Sequence, residues 1–337
     1  MDQFNVYKDM KARTNGEIYI GVVGPVRTGK STFIKRFMNL MVLPNIEDEN
    51  DRNRANDELP QSSSGKTIMT TEPKFVPNEA VSIKTEEGIE LNVRLIDCVG
   101  YMVEGATGHM EGEEERLVKT PWFDYEIPFT KAAAIGTKKV ITEHSTIGVV
   151  VTCDGSFGEI AAKQYEPAEE ETIKQLKTLK KPFVVLLNTI HPYSESTKQL
   201  AAEKEEKYQT KVLPMNLEQM KKEDIYEIIK SVLMEFPISS IGFYVPRWTE
   251  MLKKDHPLKM ELLQMARDVI TEKTTMRDIY EEQEKEYEYI TGQKLESVAM
   301  DSGEVVITVK VGDVYYYEFL SETTGMEIRN EYEFIKD

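Results

Sequence analysis

The sequence is poor in cysteine, histidine and long apolar runs. Its two cysteines, Cys98 and Cys153, cannot form a disulfide framework, which favours a reducing, cytoplasmic compartment. The four histidines are scattered and form no pair at metal-ligand spacing, so a zinc site is not expected. The chain has no run of about 18 apolar residues, and its N-terminus has no signal-peptide core. A membrane-spanning or secreted protein is therefore not expected.

Positive charge is also scarce. Lys and Arg number 42 against 59 Asp and Glu, which gives a net charge of −17. This excess repels a phosphodiester backbone, and the sequence has no concentrated basic face to offset it. General nucleic-acid binding is therefore not expected. With 337 residues, 40% of them apolar, the chain is long enough for a substantial core and for two domains.

One short segment carries most of the functional information. The pattern predicts a buried strand from Ile18 to Val23 and a helix from Thr32 to Met41, with the motif G-x-x-x-x-G-K-S between them. Such a loop at a helix N-terminus can curl its backbone N–H groups around phosphate oxygens. The residues expected to bind the nucleotide here are Gly24, Pro25, Val26, Arg27, Thr28, Gly29, Lys30, Ser31 and Thr32.

Two motifs together predict the catalytic groups. In the first, Lys30 would reach the β- and γ-phosphates, and the Ser31 hydroxyl would ligate Mg²⁺. In the second, D-x-x-G, Asp97 ends a buried strand and would hold a water molecule on Mg²⁺. Gly100 would turn a backbone N–H towards the γ-phosphate. The expected reaction is therefore hydrolysis of a nucleoside triphosphate with Lys30 and Asp97 as catalytic residues.

The remaining pattern predicts the architecture. Strands alternate with helices up to residue 237, which indicates an α/β fold with a mostly parallel sheet and helices on both faces. One of these helices is expected to begin at Pro167. Residues 238–337 are expected to form a smaller α+β domain, with helices within 249–289 and then a β-hairpin turning at Gly312-Asp313. The segments before Phe75 and between Met102 and Phe129 are predicted to be irregular.

The order of these motifs resembles the translation-factor-related GTPases. In that class a threonine of the long loop closes on Mg²⁺ and the γ-phosphate, which implies this role for Thr70 and Thr71. Where the class has N-K-x-D, this sequence has Asn188 followed by Thr-Ile-His, so Asn188 is expected to contact the nucleotide but no aspartate can read guanine. We therefore expect ATP. Tyr101 replaces the usual water-orienting glutamine, so Thr70 or Thr71 is the candidate for that task.

Longer segments resemble the stage IV sporulation protein A family of endospore-forming bacteria. They include "GVVGPVRTGKSTFIKRFM", "LPQSSSGKTIMTTEPKFVPNEAVSI", "LIDCVGY", "IGTKKVITEHSTIGVVVT" and "EFPISSI". The resemblance implies an ATPase of the spore coat basement layer that hydrolyses ATP and self-assembles into a static polymer. It also implies recruitment to the forespore membrane from the mother-cell cytoplasm together with stage V sporulation protein M. The family's hydrolytic residues map to Lys30, Asp97, Thr70 and Thr71.

The sequence leaves three hypotheses of function open, and its length bears on the first of them. The family carries a further C-terminal region, whereas this sequence stops at "EYEFIKD", so we expect a truncated form whose own assembly and membrane targeting are in question. An ATP-hydrolysing assembly protein is the leading hypothesis. The alternatives are a regulatory GTPase switch with atypical guanine recognition and a nucleotide-binding scaffold without turnover.

Overall fold

The computed structural model describes residues 5–60, 72–106, 108–281 and 285–336. The chain divides into two compact units, Met1–Glu235 and Phe236–Asp337. The expected site residues Thr70 and Thr71 lie outside the described residues. No helix in the described ranges is long and apolar enough to cross a lipid bilayer.

The first unit alternates strands and helices. Its strands are β1 (Glu17–Val23), β2 (Lys74–Lys84), β3 (Glu90–Asp97), β4 (Met110–Glu111), β5 (Glu114–Glu115), β6 (Leu117–Thr120), β7 (Phe123–Pro128), β8 (Ile147–Cys153), β9 (Phe183–Asn188) and β10 (Val212–Met215). Its α-helices are α1 (Val6–Thr14), α2 (Lys30–Phe37), α3 (Glu49–Asp57), α4 (Phe129–Lys139), α5 (Ala162–Thr178), α6 (Glu195–Tyr208) and α7 (Lys222–Met234).

A six-stranded sheet forms the centre of this unit, with the strand order β10-β9-β8-β1-β3-β2. All neighbouring strands are parallel except for the edge strand β2, which runs antiparallel to β3. Every residue of β8 and β9 is buried. Because successive strand residues point to opposite faces, this burial means that both faces of these strands are covered. The prediction of a largely parallel sheet in an α/β fold is confirmed.

The parallel strands place the loops that follow them at one edge of the sheet. The carboxyl ends of β1, β3, β8, β9 and β10 therefore lie together, although more than a hundred residues separate some of them. Helix α2 is fixed at this edge by its apolar face, where Phe33, Ile34 and Phe37 are buried. The rings of Phe33 and Phe37 pack with their centroids 5.8 Å apart. The helix continues into a π-helical stretch, Met38–Val42.

Three local expectations for the first unit are wrong. The segment before Phe75 is not wholly irregular, because it contains α3, which Asp48 caps by accepting a hydrogen bond from the Asp51 amide. The segment after Met102 contains two small antiparallel pairs, β4 with β5 and β6 with β7. Helix α5 begins at Ala162, so that Pro167 lies inside it. Burial of Tyr165 in the extra turn outweighs the preference of proline for the first helical position.

The second unit is a three-stranded sheet with helices. Its strands are β11 (Ser240–Tyr244), β12 (Ile290–Ala299) and β13 (Glu304–Val311), and its helices are α8 (Pro257–Glu272), α9 (Asp313–Thr324) and α10 (Glu331–Lys336). The order is β11-β13-β12, with β11 parallel and β12 antiparallel to β13. Helix α8 buries one face, formed by Leu258, Leu262, Met265 and Val269.

The hairpin expected to turn at Gly312-Asp313 is wrong. The strand before that turn is β13, but the segment after it is helix α9. In "VYYYEFL" aromatic residues occupy both strand and helix spacings, and tertiary contacts decide between them. Trp248 packs on Tyr316 and Phe319, with centroid distances of 5.7 and 5.6 Å, and these two residues share one side of a helix. The antiparallel partner of β13 is β12 instead.

The helical segment expected within 249–289 is shorter than predicted. Among the described residues of this range the α-helix is α8, which ends at Glu272. The chain after it is held by side chains of that helix: the Glu261 carboxylate accepts hydrogen bonds from the amides of Glu288 and Tyr289, at 2.7 Å each. Directly after α8 the Asp278 carboxylate accepts hydrogen bonds from the amides of Thr274 and Thr275, at 3.0 and 2.8 Å, so these amides are bonded outside a helix.

Candidate functional site

The glycine-rich loop lies between the end of β1 and the start of α2. Gly24 and Gly29 have φ values of +138° and +105°, a region that favours glycine. A Cβ atom on Gly24 would stand 2.3 Å from the Val151 carbonyl oxygen, so the loop also needs glycine for space. Because α2 begins at Lys30, the helix N-terminus faces the loop and contributes its partial positive charge. The loop therefore has the backbone geometry of an anion cradle.

Lys30 lies folded against this loop. Its Nζ donates to the Pro25 carbonyl oxygen at 2.6 Å and to the Gly24 carbonyl oxygen at 3.4 Å. The residue is only 6% exposed. Burial lowers the pKa of the Lys30 ammonium, while the nearby Asp97 carboxylate opposes that shift. A cation held in this way has few competing water molecules, so its attraction for a phosphate is strong.

Ser31 and Asp97 bring a hydroxyl and a carboxylate together beside the loop. The Ser31 Oγ donates to the Asp97 Oδ2 at 2.9 Å, and Asp97 is the last residue of β3. Burial raises the pKa of Asp97, and the Lys30 ammonium and the Ser31 hydrogen bond oppose this. Two hard oxygen donors next to a phosphate cradle fit Mg²⁺, which uses one or two protein ligands and completes its shell with water and phosphate oxygens.

The D-x-x-G segment is docked directly on the glycine-rich loop. Gly100 has φ +86°, and a Cβ there would stand 2.0 Å from the Gly24 carbonyl oxygen. The Val26 amide donates to the Tyr101 carbonyl oxygen at 3.0 Å, which ties the two segments together. The Tyr101 side chain packs against a buried cluster that includes Val26 and Val103. It is therefore a packing residue.

Asn188 connects the phosphate loop to the segment after β10 through hydrogen bonds. Its Nδ2 donates to the Thr28 carbonyl oxygen at 2.9 Å, and its Oδ1 accepts from the Leu217 amide at 3.2 Å. The residue is 6% exposed. Thr28 is fixed further by its own hydroxyl, which donates to the Val151 carbonyl oxygen at 2.7 Å. Both polar atoms of the Asn188 side chain are thus bonded to backbone groups that shape the loop. The contact of Asn188 with the nucleotide stays a prediction.

The position of the guanine-reading aspartate is occupied by His191, which is exposed.

Next to His191 lies a hydrogen-bonded group around Asp154 that sequence reasoning missed. The Asp154 carboxylate accepts from the Thr189 hydroxyl at 2.6 Å and from the Ser156 amide at 3.0 Å. Ser156 Oγ accepts in turn from the Ile190 amide at 3.1 Å. This group joins the loops after β8 and β9. An available signal was the turn-forming Asp154-Gly-Ser directly after a buried strand.

A cavity of about 650 Å³ opens beside the phosphate loop. Its volume lies within the range of small-molecule sites. Its walls are formed by the phosphate loop, the segment after β3, the loop after β8, the start of α5, the end of β9 and the short helix Leu217–Gln219 after β10. The lining residues include Arg27, Thr28, Gly29, Thr32, Gly105, Cys153, Phe157, Gly158, Glu159, Ile160, Gln164, Tyr165, Asn188 and Glu218. Sequence reasoning missed the far wall, because nothing local marks Phe157 or Glu218 as neighbours of residue 28.

The structure thus brings together the loop Gly24–Thr32, Asp97, Gly100 and Asn188, and leaves Thr70 and Thr71 outside the described residues. A largely parallel α/β sheet with a glycine-rich phosphate loop at its carboxyl edge defines a nucleoside-triphosphate-binding domain of the phosphate-loop class. The family model of the stage IV sporulation protein A ATPase domain matches residues 1–237, and the model of its middle domain matches residues 238–337. The chain belongs to the stage IV sporulation protein A family.

Similar proteins carry the same name. The chain is 45% identical over 338 residues to stage IV sporulation protein A of Bacillus anthracis, covering all of this chain and 69% of that protein. It is 47% identical over 333 residues to the protein of Clostridioides difficile strain 630, covering 98% and 68%. It is 45% identical over 331 residues to that of Bacillus subtilis strain 168, covering 98% and 67%. The first unit is therefore an ATPase domain of a sporulation protein.

Proposed function

We propose that this chain hydrolyses ATP in the cradle formed by residues 24–32. The observation that carries the proposal is the set of contacts that hold Lys30 inside the loop and place Ser31 against Asp97. Lys30 and the loop amides would stabilise the charge that develops on the transferred phosphoryl group. Ser31 and Asp97, with Thr71, would hold Mg²⁺. When bound, that ion supplies positive charge to the β- and γ-phosphate oxygens.

The finer fold assignment is also a proposal. We assign the first unit to the translation-factor-related type, because D-x-x-G follows β3 and the antiparallel strand β2 lies next to it at the sheet edge. In that type Thr70 and Thr71 would close on the γ-phosphate and place the attacking water. Gly100 would offer its backbone N–H to the same phosphate. Arg27, which lines the cavity, would add positive charge near the phosphates.

We further propose that hydrolysis is coupled to self-assembly. Membership of the family supports a static homopolymer that forms the basement layer of the spore coat on the forespore surface. The partners would be further copies of the chain, stage V sporulation protein M and other coat proteins, at the periphery of the forespore membrane in the mother-cell cytoplasm. The net charge of −17 argues against nucleic acid as a partner.

One observation favours the alternative of a GTPase with atypical guanine recognition. The carboxylate-bearing residues Glu159 and Glu218 line the cavity, and a carboxylate can accept two hydrogen bonds from the guanine edge. The match to an ATPase domain weighs against this reading. Turnover with ATP and GTP measured in parallel decides between them. A preference for GTP of tenfold or more, about 1.4 kcal/mol, would reject the ATP assignment.

Two sets of substitutions separate binding from cleavage. Lys30→Ala should abolish ATP binding, because the cradle loses its only lysine. Thr70→Ala combined with Thr71→Ala should slow phosphate release while ATP still binds. Equal loss of binding in both variants would assign the threonines a structural role. Isothermal titration with a non-hydrolysable ATP analogue and a phosphate-release assay provide the two readouts.

Coupling to assembly needs its own experiment. Sedimentation of the chain after incubation with ATP, with the non-hydrolysable analogue or with ADP distinguishes hydrolysis from binding. Pelleting with ATP alone would support the proposal. Equal pelleting with all three nucleotides would show that assembly does not depend on hydrolysis. Equal pelleting of Lys30→Ala and the unaltered chain would show that it does not depend on the ATPase site.

A further inference from the structure

The phosphate loop forms part of the wall of the cavity, and the loop after β8 forms another part. Thr28, Gly29 and Thr32 line the first part, and the segment from Phe157 to Ile160 lines the second. A nucleotide whose phosphates lie in the cradle would place its ribose and base in this cavity. The base needs a flat apolar contact, because a purine presents two large π-faces.

The loop after β9 offers little for this purpose. Both polar atoms of the Asn188 side chain are bonded to backbone groups. Thr189 is wholly buried, and its hydroxyl is bonded to Asp154. The aspartate that would read a guanine edge is replaced by His191. The contact with the base must therefore come mainly from another part of the cavity wall.

Two aromatic residues line the described cavity, Phe157 and Tyr165, and Tyr165 is only 3% exposed, which leaves Phe157 for that contact. It lines the cavity, and the residue is 40% exposed. In the described part of the chain no other ring or cation packs on its own ring. The neighbouring Gly158 leaves open space, since a Cβ there would meet no atom within 4 Å. Because Phe157 is part-exposed and lines the cavity, a flat ligand bound there can reach its ring.

The loop that carries Phe157 is held in place before any ligand arrives. Asp154 accepts from the Ser156 amide and hydroxyl, at 3.0 and 2.5 Å. Gly155 has φ +77°, and a Cβ there would stand 2.9 Å from the Ile160 carbonyl oxygen. Ser156 also accepts from the Ile190 amide of the next loop. An aromatic ring on a braced loop loses little conformational entropy when it binds a base.

We propose that Phe157 is the residue on which the nucleobase stacks in this ATPase. The inference rests on the function proposed above, because it assumes that the triphosphate occupies the cradle at residues 24–32. Stacking removes apolar surface of the ring and of the base from water. Since every base has a π-face, this contact adds affinity for adenine and guanine nucleotides alike. Choice between them belongs to other groups of the cavity.

The test compares Phe157→Ala with Phe157→Trp in the whole chain. Titration calorimetry measures affinity for three probes, each with Mg²⁺: ATP, GTP and inorganic tripolyphosphate, which lacks a base. Phe157→Ala should weaken ATP and GTP binding about tenfold each, equivalent to about 1.4 kcal/mol, and leave tripolyphosphate binding unchanged. Phe157→Trp should retain ATP affinity, because the larger ring also stacks. Its fluorescence should respond to ATP and not to tripolyphosphate.

Tyr193→Ala is the matched control. Tyr193 is an aromatic residue of the loop after β9, is 86% exposed and is not among the residues that line the cavity. Its removal should leave all three affinities unchanged. Three results would overturn the inference. The first is unchanged ATP affinity in Phe157→Ala, and the second is a loss of tripolyphosphate affinity in that variant as large as its loss of ATP affinity. The third is loss of ATP binding in Tyr193→Ala instead of Phe157→Ala. Normal hydrolysis by the unaltered chain alongside such a result would leave the proposed function standing; absence of ATP binding by the unaltered chain would overturn both.

Discussion

Asn188→Asp tests how the phosphate loop is held in shape. The substitution keeps the size of the side chain and the oxygen that accepts from the Leu217 amide. It removes the Nδ2 donor that bonds the Thr28 carbonyl oxygen at 2.9 Å and sets a carboxylate oxygen against that carbonyl instead. Because Asn188 is only 6% exposed, water cannot replace the lost donor. The loop should therefore lose its brace from β9.

The magnitude follows from the unsatisfied carbonyl group. A buried acceptor without its partner costs about 1–3 kcal/mol, and burying an uncompensated carboxylate adds to that cost. We expect the free energy of unfolding to fall by at least about 2 kcal/mol. If the loop relaxes in the free variant, ATP binding must restore it. The affinity for ATP should then fall about tenfold for each 1.4 kcal/mol that this rearrangement costs.

The assay combines urea unfolding with calorimetric titration of Mg–ATP. Asn216→Ala serves as the control, since Asn216 caps the short helix Leu217–Gln219 through a hydrogen bond from the Glu218 amide and makes none with the phosphate loop. It should cost about 1 kcal/mol of stability without changing ATP affinity. Asn188→Ala, which removes the donor without adding charge, separates the two contributions. Unchanged ATP affinity in a folded Asn188→Asp variant would refute the assignment of Asn188 as the brace of the loop.

Two further predictions concern a glycine of the site and the second unit. Gly100→Ala should destabilise the first unit and abolish ATP turnover, because its Cβ would stand 2.0 Å from the Gly24 carbonyl oxygen; Gly88→Ala, with φ +80° and open space, should show only the cost of the backbone conformation, about 1 kcal/mol. Partial burial acts to raise the pKa of Asp278, but hydrogen bonds from Thr275 and Thr274 lower it below its ordinary value. The charged carboxylate of Asp278 therefore stabilises the second unit when the pH is above the ordinary pKa of an aspartate. This contribution is lost as the pH falls through the lowered pKa of the folded state. Asp278→Asn should cost about 1 kcal/mol at neutral pH, allowing for solvent screening, and nothing in strong acid, as measured by urea unfolding across pH; an equal cost at both pH values would contradict this sign.

Local chemistry made the phosphate site readable in the amino-acid sequence. The spacing from Gly24 to Ser31 is typical of a curled backbone before a helix, and Asp97 ends an apolar strand. Each motif can therefore be recognised from its own segment of the sequence. The alternation of strands and helices also predicted the parallel sheet, because both periods are local properties of the chain. The missing aspartate at His191 could be recognised in the same way.

Tertiary structure decided what local patterns leave open. Whether "VYYYEFL" becomes strand or helix depends on Trp248, and the start of α5 depends on the burial of Tyr165, so neither could be predicted from its own segment. The roles of Asn188, Asp154 and Phe157 depend on loops that meet only because parallel strands end at one edge of the sheet. Sequence periodicity therefore determined the elements and the cradle, whereas strand order determined which distant side chains brace it and which face the cavity beside it.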